Sequence, residues 1–128
     1  MGGGYSMTTD SLIRDGYKII NMQITYVDLS MSDYGCMVLS MAMEGSGYSV
    51  VYGNHCLGHG YLGAKEFDGN EKSMPYIMNI MNVVGVERFN DMKGKYARIA
   101  FKGLGSSTKI IGNIIEDKWF DPESFFNN

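Results

Sequence analysis

The residue types able to do chemistry are concentrated in residues 52–63, which contain both histidines, His55 and His59, and one of the two cysteines, Cys56. With the distant Cys36 they offer the thiol and imidazole groups that bind zinc or act as a nucleophile and its base. Glycines between them permit tight turns and a close approach of backbone to a ligand. This glycine-rich segment is therefore the first candidate for a site.

A metal site needs ligands whose spacing lets them converge on one ion. His55 and Cys56 are adjacent in sequence and Cys36 is distant, which does not match the paired C-x-x-C or H-x-x-x-H spacings of zinc sites. We therefore predict no metal and no cofactor.

Cysteine catalysis needs a base and a third group that orients the base. Cys56 with His59, and either Asp68 or Asn54, supplies these residue types. The sequence shows neither a nucleophile elbow nor an oxyanion-hole pattern, so we expect a protein without enzymatic activity.

Gly58, Gly60 and Gly63 match the G-x-G-x-x-G pattern of phosphate-binding loops. In the dinucleotide fold the third glycine lies inside the helix whose N-terminus holds the pyrophosphate. Here the next helical pattern begins only at Ser73, ten residues later. A strand exit with glycines at positive φ is the alternative interpretation.

Two groups of residues make up the candidate binding set. The glycine-rich segment supplies backbone and an aromatic ring for stacking, and a basic group after the predicted helix supplies charge for a phosphate or an acidic protein face. A solvated sheet face is the ordinary explanation for such basic residues. The predicted ligand- or partner-binding residues are Gly58, His59, Gly60, Tyr61, Lys93, Lys95 and Arg98.

Alternation of apolar and polar residues predicts strands at 17–27 and 36–44. A three-residue turn centred on Ser46 leads into a third strand at 48–54. The side chains predicted to face the core are Ile20, Met22, Ile24 and Tyr26 in the first strand and Met37, Leu39, Met41 and Met43 in the second.

The three-residue turn sets a register for the first hairpin. If Glu44 faces Tyr48, then Cys36 faces Cys56, and the two thiols share one side of the hairpin while His55 points to the other. We expect neighbouring cysteines that an oxidant can join but that stay reduced in a cytoplasm.

A second hairpin is predicted from strands at 96–101 and 108–115, which flank the glycine- and serine-rich turn 102–107. Gly112 inside the last strand indicates a bulge or a close backbone approach.

Between the hairpins, Ser73 is the predicted N-cap of a helix with Pro75 in its first turn and Gly85 as a left-handed C-cap. A further turn is expected at 87–92, and the Asp121-Pro122 pair predicts a short, aromatic C-terminal helix that covers the core. The apolar stripe of the main helix is Ile77, Ile80, Met81 and Val84.

These elements follow the order β-β-β-α-β-β. They predict a single α+β domain at 16–128, with an antiparallel sheet of about five strands packed by one amphipathic helix, after a flexible N-terminal tail at 1–15. Sheet edges and the methionine- and aromatic-rich segments also predict a homodimer, to be checked by light scattering.

Composition limits the partner classes. In a chain of 128 residues, 45% are hydrophobic and 20% are charged, as is typical of one globular domain. A net charge of -3 makes nucleic acid an unlikely partner class. The sequence shows no signal peptide and no membrane span, so we expect a cytoplasmic protein.

Three runs carry a resemblance to a known group of proteins: Lys93-Gly-Lys-Tyr-Ala-Arg98, the run 111–120 and His59-Gly-Tyr-Leu-Gly-Ala64. The chain resembles, over roughly 26–126, small accessory proteins encoded by bacteriophages and prophages, a group without assigned chemistry. This resemblance implies a non-enzymatic protein of a bacterial host cell's cytoplasm that binds and inhibits a host protein such as a defence nuclease. A small-ligand or nucleotide sponge that uses 58–63 is the alternative.

Overall fold

The structure, a computed structural model, describes residues 7–32, 34–53, 55–103 and 109–127. Its strands are β1 (Lys18–Met31), β2 (Met37–Gly45), β3 (Tyr48–Gly53), β4 (Gly58–His59), β5 (Asp68–Gly69), β6 (Tyr96–Phe101), β7 (Lys109–Asn113) and β8 (Trp119–Phe120). Its helices are α1 (Thr9–Arg14), α2 (Ser73–Val84) and α3 (Pro122–Asn127), and Phe89–Met92 form a 3₁₀ turn.

In the described part of the chain, six strands form one antiparallel sheet in the order β3-β2-β1-β6-β7-β8, and β4 pairs with β5 in a separate ribbon. The buried side of α2 joins the inward residues of the sheet in one hydrophobic core. The predicted α+β class with an antiparallel sheet is confirmed. Strands β4, β5 and β8 were not predicted, because two residues are too few to show a periodicity.

Strand β1 runs four residues further than predicted and contains a bulge. Its register with β2 shifts between Ile24 and Tyr26, so that Thr25 is the extra residue. Ile24 is fully buried, whereas Tyr26 is 53% exposed. The prediction that Tyr26 faces the core is wrong, since the inserted residue moves all later side chains of β1 to the opposite face.

The first hairpin has a two-residue turn instead of the predicted three-residue turn. Gly45 pairs with Tyr48, and Ser46 and Gly47 between them have φ values of 52° and 81°. Two consecutive positive φ values are the pattern of a type I′ turn, whose twist matches that of the strands. Each pair of β2 and β3 is consequently shifted by one residue from the predicted register, and Met41 faces Tyr52.

Helix α2 buries its predicted stripe, although Met81 is only partly buried. Each large apolar side chain buried there contributes roughly 1.5–3 kcal/mol before its entropy cost. Gly85 ends the helix with φ 94°, and its N–H donates to the Met81 carbonyl at 2.8 Å. Ser73 is not the N-cap: it is the first helical residue, and its hydroxyl donates to the Leu57 carbonyl at 2.6 Å.

The C-terminal part of the chain covers the core as predicted. Asp121 accepts hydrogen bonds from the backbone N–H groups of Glu123 and Ser124, which fixes the start of α3. Phe125 and Phe126 are partly buried against the core. The 3₁₀ turn falls within the further turn predicted at 87–92.

Strand β7 ends at Asn113, two residues earlier than predicted, because the Asn113 side chain organises the following turn. Its Oδ1 accepts from the N–H groups of Ile115 and Glu116 at 2.9 and 2.8 Å, and its Nδ2 donates to the Val83 carbonyl. Gly112 marks a close approach as predicted, but by the Trp119 ring and without a bulge in the β6–β7 register.

Helix α1 lies within the predicted flexible tail. Thr8 and Ser11 form a capping box at its start, and Leu12 is 3% exposed where it packs against β6 and β7 on the other side of the sheet. Residues 7–15 are therefore docked structure, whereas 1–6 lie outside the described residues. None of the helices in the described residues is both long and apolar enough to span a membrane.

Candidate functional site

The glycine-rich segment leaves the hairpin at Gly53 and returns alongside the beginning of β2. Gly53 has φ 118°, and a Cβ there would collide with the Leu39 carbonyl, so glycine is required at this exit. Beyond it, the Leu57 N–H donates to the Met37 carbonyl at 2.8 Å. The predicted register required regular pairing of β2 and β3 up to Cys56. The pairing instead ends at Gly53.

Two further contacts fix the segment against the β1–β2 connection. The Gly60 N–H donates to the Gly35 carbonyl at 2.8 Å, and His59 forms an isolated antiparallel bridge with Cys36. The Tyr61 ring lies over Gly35, where a Cβ would be 3.0 Å from its Cζ. This return brings side chains together that are more than 20 residues apart in sequence.

The two cysteines lie together with His59. Cys36 and Cys56 form a disulfide with a Cα–Cα distance of 5.3 Å, and His59 Nε2 lies 3.5 Å from the Cys56 sulfur. That sulfur is also 3.3 Å from the Gly58 carbonyl oxygen. The predicted proximity of the cysteines is correct although the register behind it is wrong, and the pair is oxidised where reduced thiols were expected.

His55 is separated from this cluster, as predicted. Its ring packs on Tyr76 and Phe126, with centroid distances of 5.5 and 4.8 Å. Burial lowers the pKa of His55 from its ordinary value, and the Glu123 carboxylate opposes this effect. His55 is therefore part of the aromatic packing beneath α3.

Beside His55 the core holds two buried phenol groups, Tyr52 and Tyr76. Neither hydroxyl has a hydrogen-bond partner among the described residues. Burial raises the pKa of both phenols, well above the ordinary value for Tyr52, where proximity to Tyr76 contributes as well. Both groups remain neutral and contribute packing to the core.

A mainly apolar cavity of about 480 Å³ opens between the glycine-rich segment and the ends of β1 and β2. Its position follows from the pairing of Met31 with Met37 and of β4 with β5. The described lining contains one acidic side chain and no Lys or Arg. It consists of Met31, Met37, Leu57, Gly58, His59, Gly60, Phe67, Asp68 and Gly69.

Met31 and Phe67 line this cavity and are exposed to solvent, and further exposed apolar residues lie on the neighbouring stretches of chain. Leu62 is 93% exposed at the tip of the turn that the Ala64 N–H closes onto the Tyr61 carbonyl. The Phe67 ring covers Gly60, where any Cβ would collide with it. We call this group the segment surface; it comprises Met31, Tyr34, Tyr61, Leu62 and Phe67, which are 42–93% exposed.

The predicted basic residues lie elsewhere on the sheet. The Lys95 carbonyl accepts from the Ile24 N–H, and β1 continues for seven residues, roughly 20 Å, before it reaches the cavity at Met31. Lys93 is exposed next to the start of β6. At this distance, Lys93 and Lys95 do not reach a small ligand that is bound at the glycine-rich segment.

Arg98 has a structural role. Its Nε donates to the Asn113 carbonyl at 2.7 Å and an Nη donates to the Glu116 carbonyl at 2.9 Å. Its guanidinium also stacks over the Trp119 ring at 4.7 Å. These contacts hold the β7–β8 turn in place and engage the Nε and one Nη of the guanidinium.

The catalytic set considered for Cys56 is brought together only in part. His59 is beside its sulfur, and Asp68 pairs with His59 across the β4–β5 ribbon. In the disulfide, however, the sulfur has no thiolate to act as a nucleophile. Asn54 lies outside the described residues.

Sequence reasoning missed Tyr34, Leu62 and Phe67 as parts of a surface. Phe67 lies between Glu66 and Asp68, and a single aromatic residue among charged neighbours was the available signal. Protein-family models, curated proteins and solved structures were all compared with this chain, and none of them matches it.

Proposed function

We propose that this chain is a non-enzymatic binding protein of a bacteriophage or prophage, and that the segment surface binds a protein of the bacterial host. The observation that carries the proposal is an apolar cavity lined by the exposed side chains of Met31 and Phe67. Exposed Tyr34, Tyr61 and Leu62 lie on the two stretches of chain that the Gly60–Gly35 hydrogen bond joins beside it. Contiguous exposed apolar patches rimmed by polar residues mark interaction sites.

The segment surface is held in place before any partner binds. Backbone hydrogen bonds from Leu57 and Gly60 tie it to β2 and to Gly35, and the disulfide joins its two sides. A preformed surface loses less conformational entropy on binding than a flexible loop would. Tyr61 and Phe67 supply the aromatic anchors that contribute most to protein interfaces.

The chemistry of the surface favours a protein over a polyanion. The described cavity lining has Asp68 as its only acidic side chain and contains no Lys or Arg, and the chain carries a net charge of -3. Nucleic acid requires a concentration of Lys and Arg that this surface lacks. A partner with an exposed apolar side chain fits better, and host defence nucleases are the first class to test, as the phage resemblance implies.

A small ligand is the second candidate, because the cavity volume of about 480 Å³ falls in the range of small-molecule pockets. The lining favours an apolar or cationic ligand over a nucleotide, since the described lining offers no positive side chain for a phosphate. In this case a library of such compounds would raise the melting temperature of the isolated protein.

A pull-down from host lysate with three forms of the chain separates these possibilities. The forms are the wild type, Leu62→Lys in the segment surface and Ile115→Lys as the matched control. Leu62 and Ile115 are 93% and 86% exposed, and both changes add one positive charge to an exposed aliphatic position. We expect a host protein that is retained by the wild type and by Ile115→Lys but lost with Leu62→Lys.

The retained protein is then purified and its affinity for each form is measured by calorimetry. Leu62→Lys should weaken binding by about 2 kcal/mol, roughly 30-fold, as expected for a side chain at the centre of an interface. Equal binding by all three forms would remove the segment surface from consideration. Absence of any retained protein, together with thermal stabilisation by small compounds, would favour the ligand-binding candidate.

A further inference from the structure

The cluster of Cys36, Cys56 and His59 has a chemistry that the segment surface does not use. One ligand atom from each residue lies within 4.8 Å of the others, although the residues come from two separate parts of the chain. We propose that, when the disulfide is reduced, these three residues bind a soft divalent cation of the Zn²⁺ type. The closed disulfide then represents the form without metal.

The distance between His59 and Cys56 already fits a tetrahedral ion, while the two sulfurs separate when the disulfide is reduced. With Zn–S at ~2.3 Å and Zn–N at ~2.0 Å, a sulfur and a nitrogen on neighbouring vertices of a tetrahedron are about 3.5 Å apart. His59 Nε2 is 3.5 Å from the Cys56 sulfur in this structure. Two thiolates and one imidazole are also the ligand types that zinc prefers over magnesium or calcium.

The positions of the side chains allow the site to open to solvent. Cys36 and Cys56 are half-buried and His59 is exposed, so the ion would sit at the surface with its fourth position filled by water. Asp68 pairs with His59 across the β4–β5 ribbon, so the two side chains leave the same face of the ribbon. Such a carboxylate partner orients a ligating imidazole.

Formation of the site requires a change of redox state. A dithiol reductant gives the disulfide two electrons and two protons and is itself oxidised to a disulfide. A phosphine gives the two electrons and is oxidised to the phosphine oxide, while water supplies the oxide oxygen and the two protons. Two thiols result, and the cation displaces their protons to solvent as it binds, so that two thiolates carry the ligand charge. The disulfide and the metal-bound form therefore exclude each other, because both use the sulfurs of Cys36 and Cys56.

His55 provides the matched control, because it is adjacent to Cys56 in sequence but packs on Tyr76 and Phe126. His55→Phe keeps an aromatic ring in that packing and removes both ring nitrogens. His59→Gln removes the imidazole at an exposed position where little packing is lost. Circular dichroism of each reduced variant verifies that it remains folded.

The experiment titrates Co²⁺, a spectroscopic substitute for Zn²⁺, into protein reduced with a phosphine and into oxidised protein. Thiolate-to-cobalt charge-transfer absorption and the intense visible bands of tetrahedral Co²⁺ should appear at one equivalent in the reduced protein only, and Zn²⁺ should remove them. His59→Gln should weaken binding by at least about 100-fold, because even loss of a group that orients a ligand costs ~10–100-fold. His55→Phe should bind as the wild type does.

Several outcomes would overturn the proposal. These are the absence of thiolate absorption in reduced wild-type protein, equal binding by oxidised protein, and full affinity in His59→Gln. Loss of binding in a folded His55→Phe variant would mean that His55, and not His59, is the imidazole ligand. The comparison of reduced with oxidised wild type needs no variant, so it decides the question even if a substitution disturbs the fold.

Discussion

At the scale of single residues, Tyr52 and Tyr76 bury phenol hydroxyls that have no hydrogen-bond partner among the described residues. A buried hydroxyl without a partner costs about 1–3 kcal/mol of desolvation. Replacing Tyr52 by Phe should therefore leave the free energy of unfolding unchanged or raise it by up to about 1 kcal/mol. Urea denaturation measures this change.

Tyr48→Phe is the control, because the Tyr48 hydroxyl accepts a hydrogen bond from the Lys18 ammonium at 2.9 Å. Loss of this hydrogen bond should leave the free energy of unfolding unchanged or lower it slightly, since Lys18 and Tyr48 form an exposed pair. A loss of more than about 1 kcal/mol in Tyr52→Phe would mean that the buried hydroxyl is hydrogen-bonded after all.

The pKa of His55 gives a second prediction at this scale. The folded state holds this pKa below the ordinary value of 6.5, chiefly through burial, so the unfolded chain binds the proton more readily. The contribution of His55 to stability is complete above pH 6.5 and is lost as the pH falls through the folded pKa. Below both pKa values the contribution no longer changes.

His55→Phe should remove this part of the pH dependence. The melting temperature of the wild type should fall more steeply than that of the variant as the pH is lowered from 7. Identical slopes for the two proteins would contradict the effect of burial on His55.

Single-residue chemistry was predictable from the sequence only where it depended on residue type. The separation of His55 from the cysteines was predicted from alternation along a strand, but β3 ends at Gly53 and it is the packing of His55 on Tyr76 and Phe126 that holds it apart. The approach of His59 was not predicted, because it depends on the break at Gly53 and on the return of residues 57–60 along β2. The presence of a glycine does not by itself show whether its φ is positive, because glycine adopts both signs readily.

At the scale of elements, the Ser46-Gly47 turn fixes the register of β2 and β3. Ser46 is the non-glycine residue with positive φ in the described chain, and Asn adopts this conformation more readily than Ser does. Ser46→Asn should therefore raise the free energy of unfolding by about 0.5–1 kcal/mol. Thermal or urea denaturation can measure this change.

Ser49→Asn makes the same substitution at an exposed position of β3 that needs no positive φ. It should be neutral or mildly destabilising, because Asn is disfavoured in strands. If both substitutions have the same effect, the turn is not of the type I′ form.

Long elements were predicted well and their details were not. Alternation identified the five longer strands, and Gly85 marked the end of α2. The bulge at Thr25 and the early end of β7 at Asn113 depend on pairings with other parts of the chain. Local periodicity carries no information about such tertiary contacts.

At the scale of the whole molecule, the sheet has a long edge at β3 and a two-residue edge at β8. Val51 on β3 is 55% exposed, so this edge is the better candidate for contact between copies. The homodimer predicted from the sequence stays a prediction for light scattering. The segment surface lies at the end of β1 and the beginning of β2, whereas this edge is formed by β3.

The proposed function depends on one spatial claim: residues 34–37 and 57–62, which carry three of the five side chains of the segment surface, lie on one surface that a host protein covers. Hydrogen–deuterium exchange of the chain, alone and bound to the protein retained in the pull-down, measures this directly. Slower exchange on binding is predicted in both stretches, with no change at 114–118 around the control residue Ile115. Protection confined to 114–118 or to β3, with exchange at 57–62 unchanged, would contradict the claim.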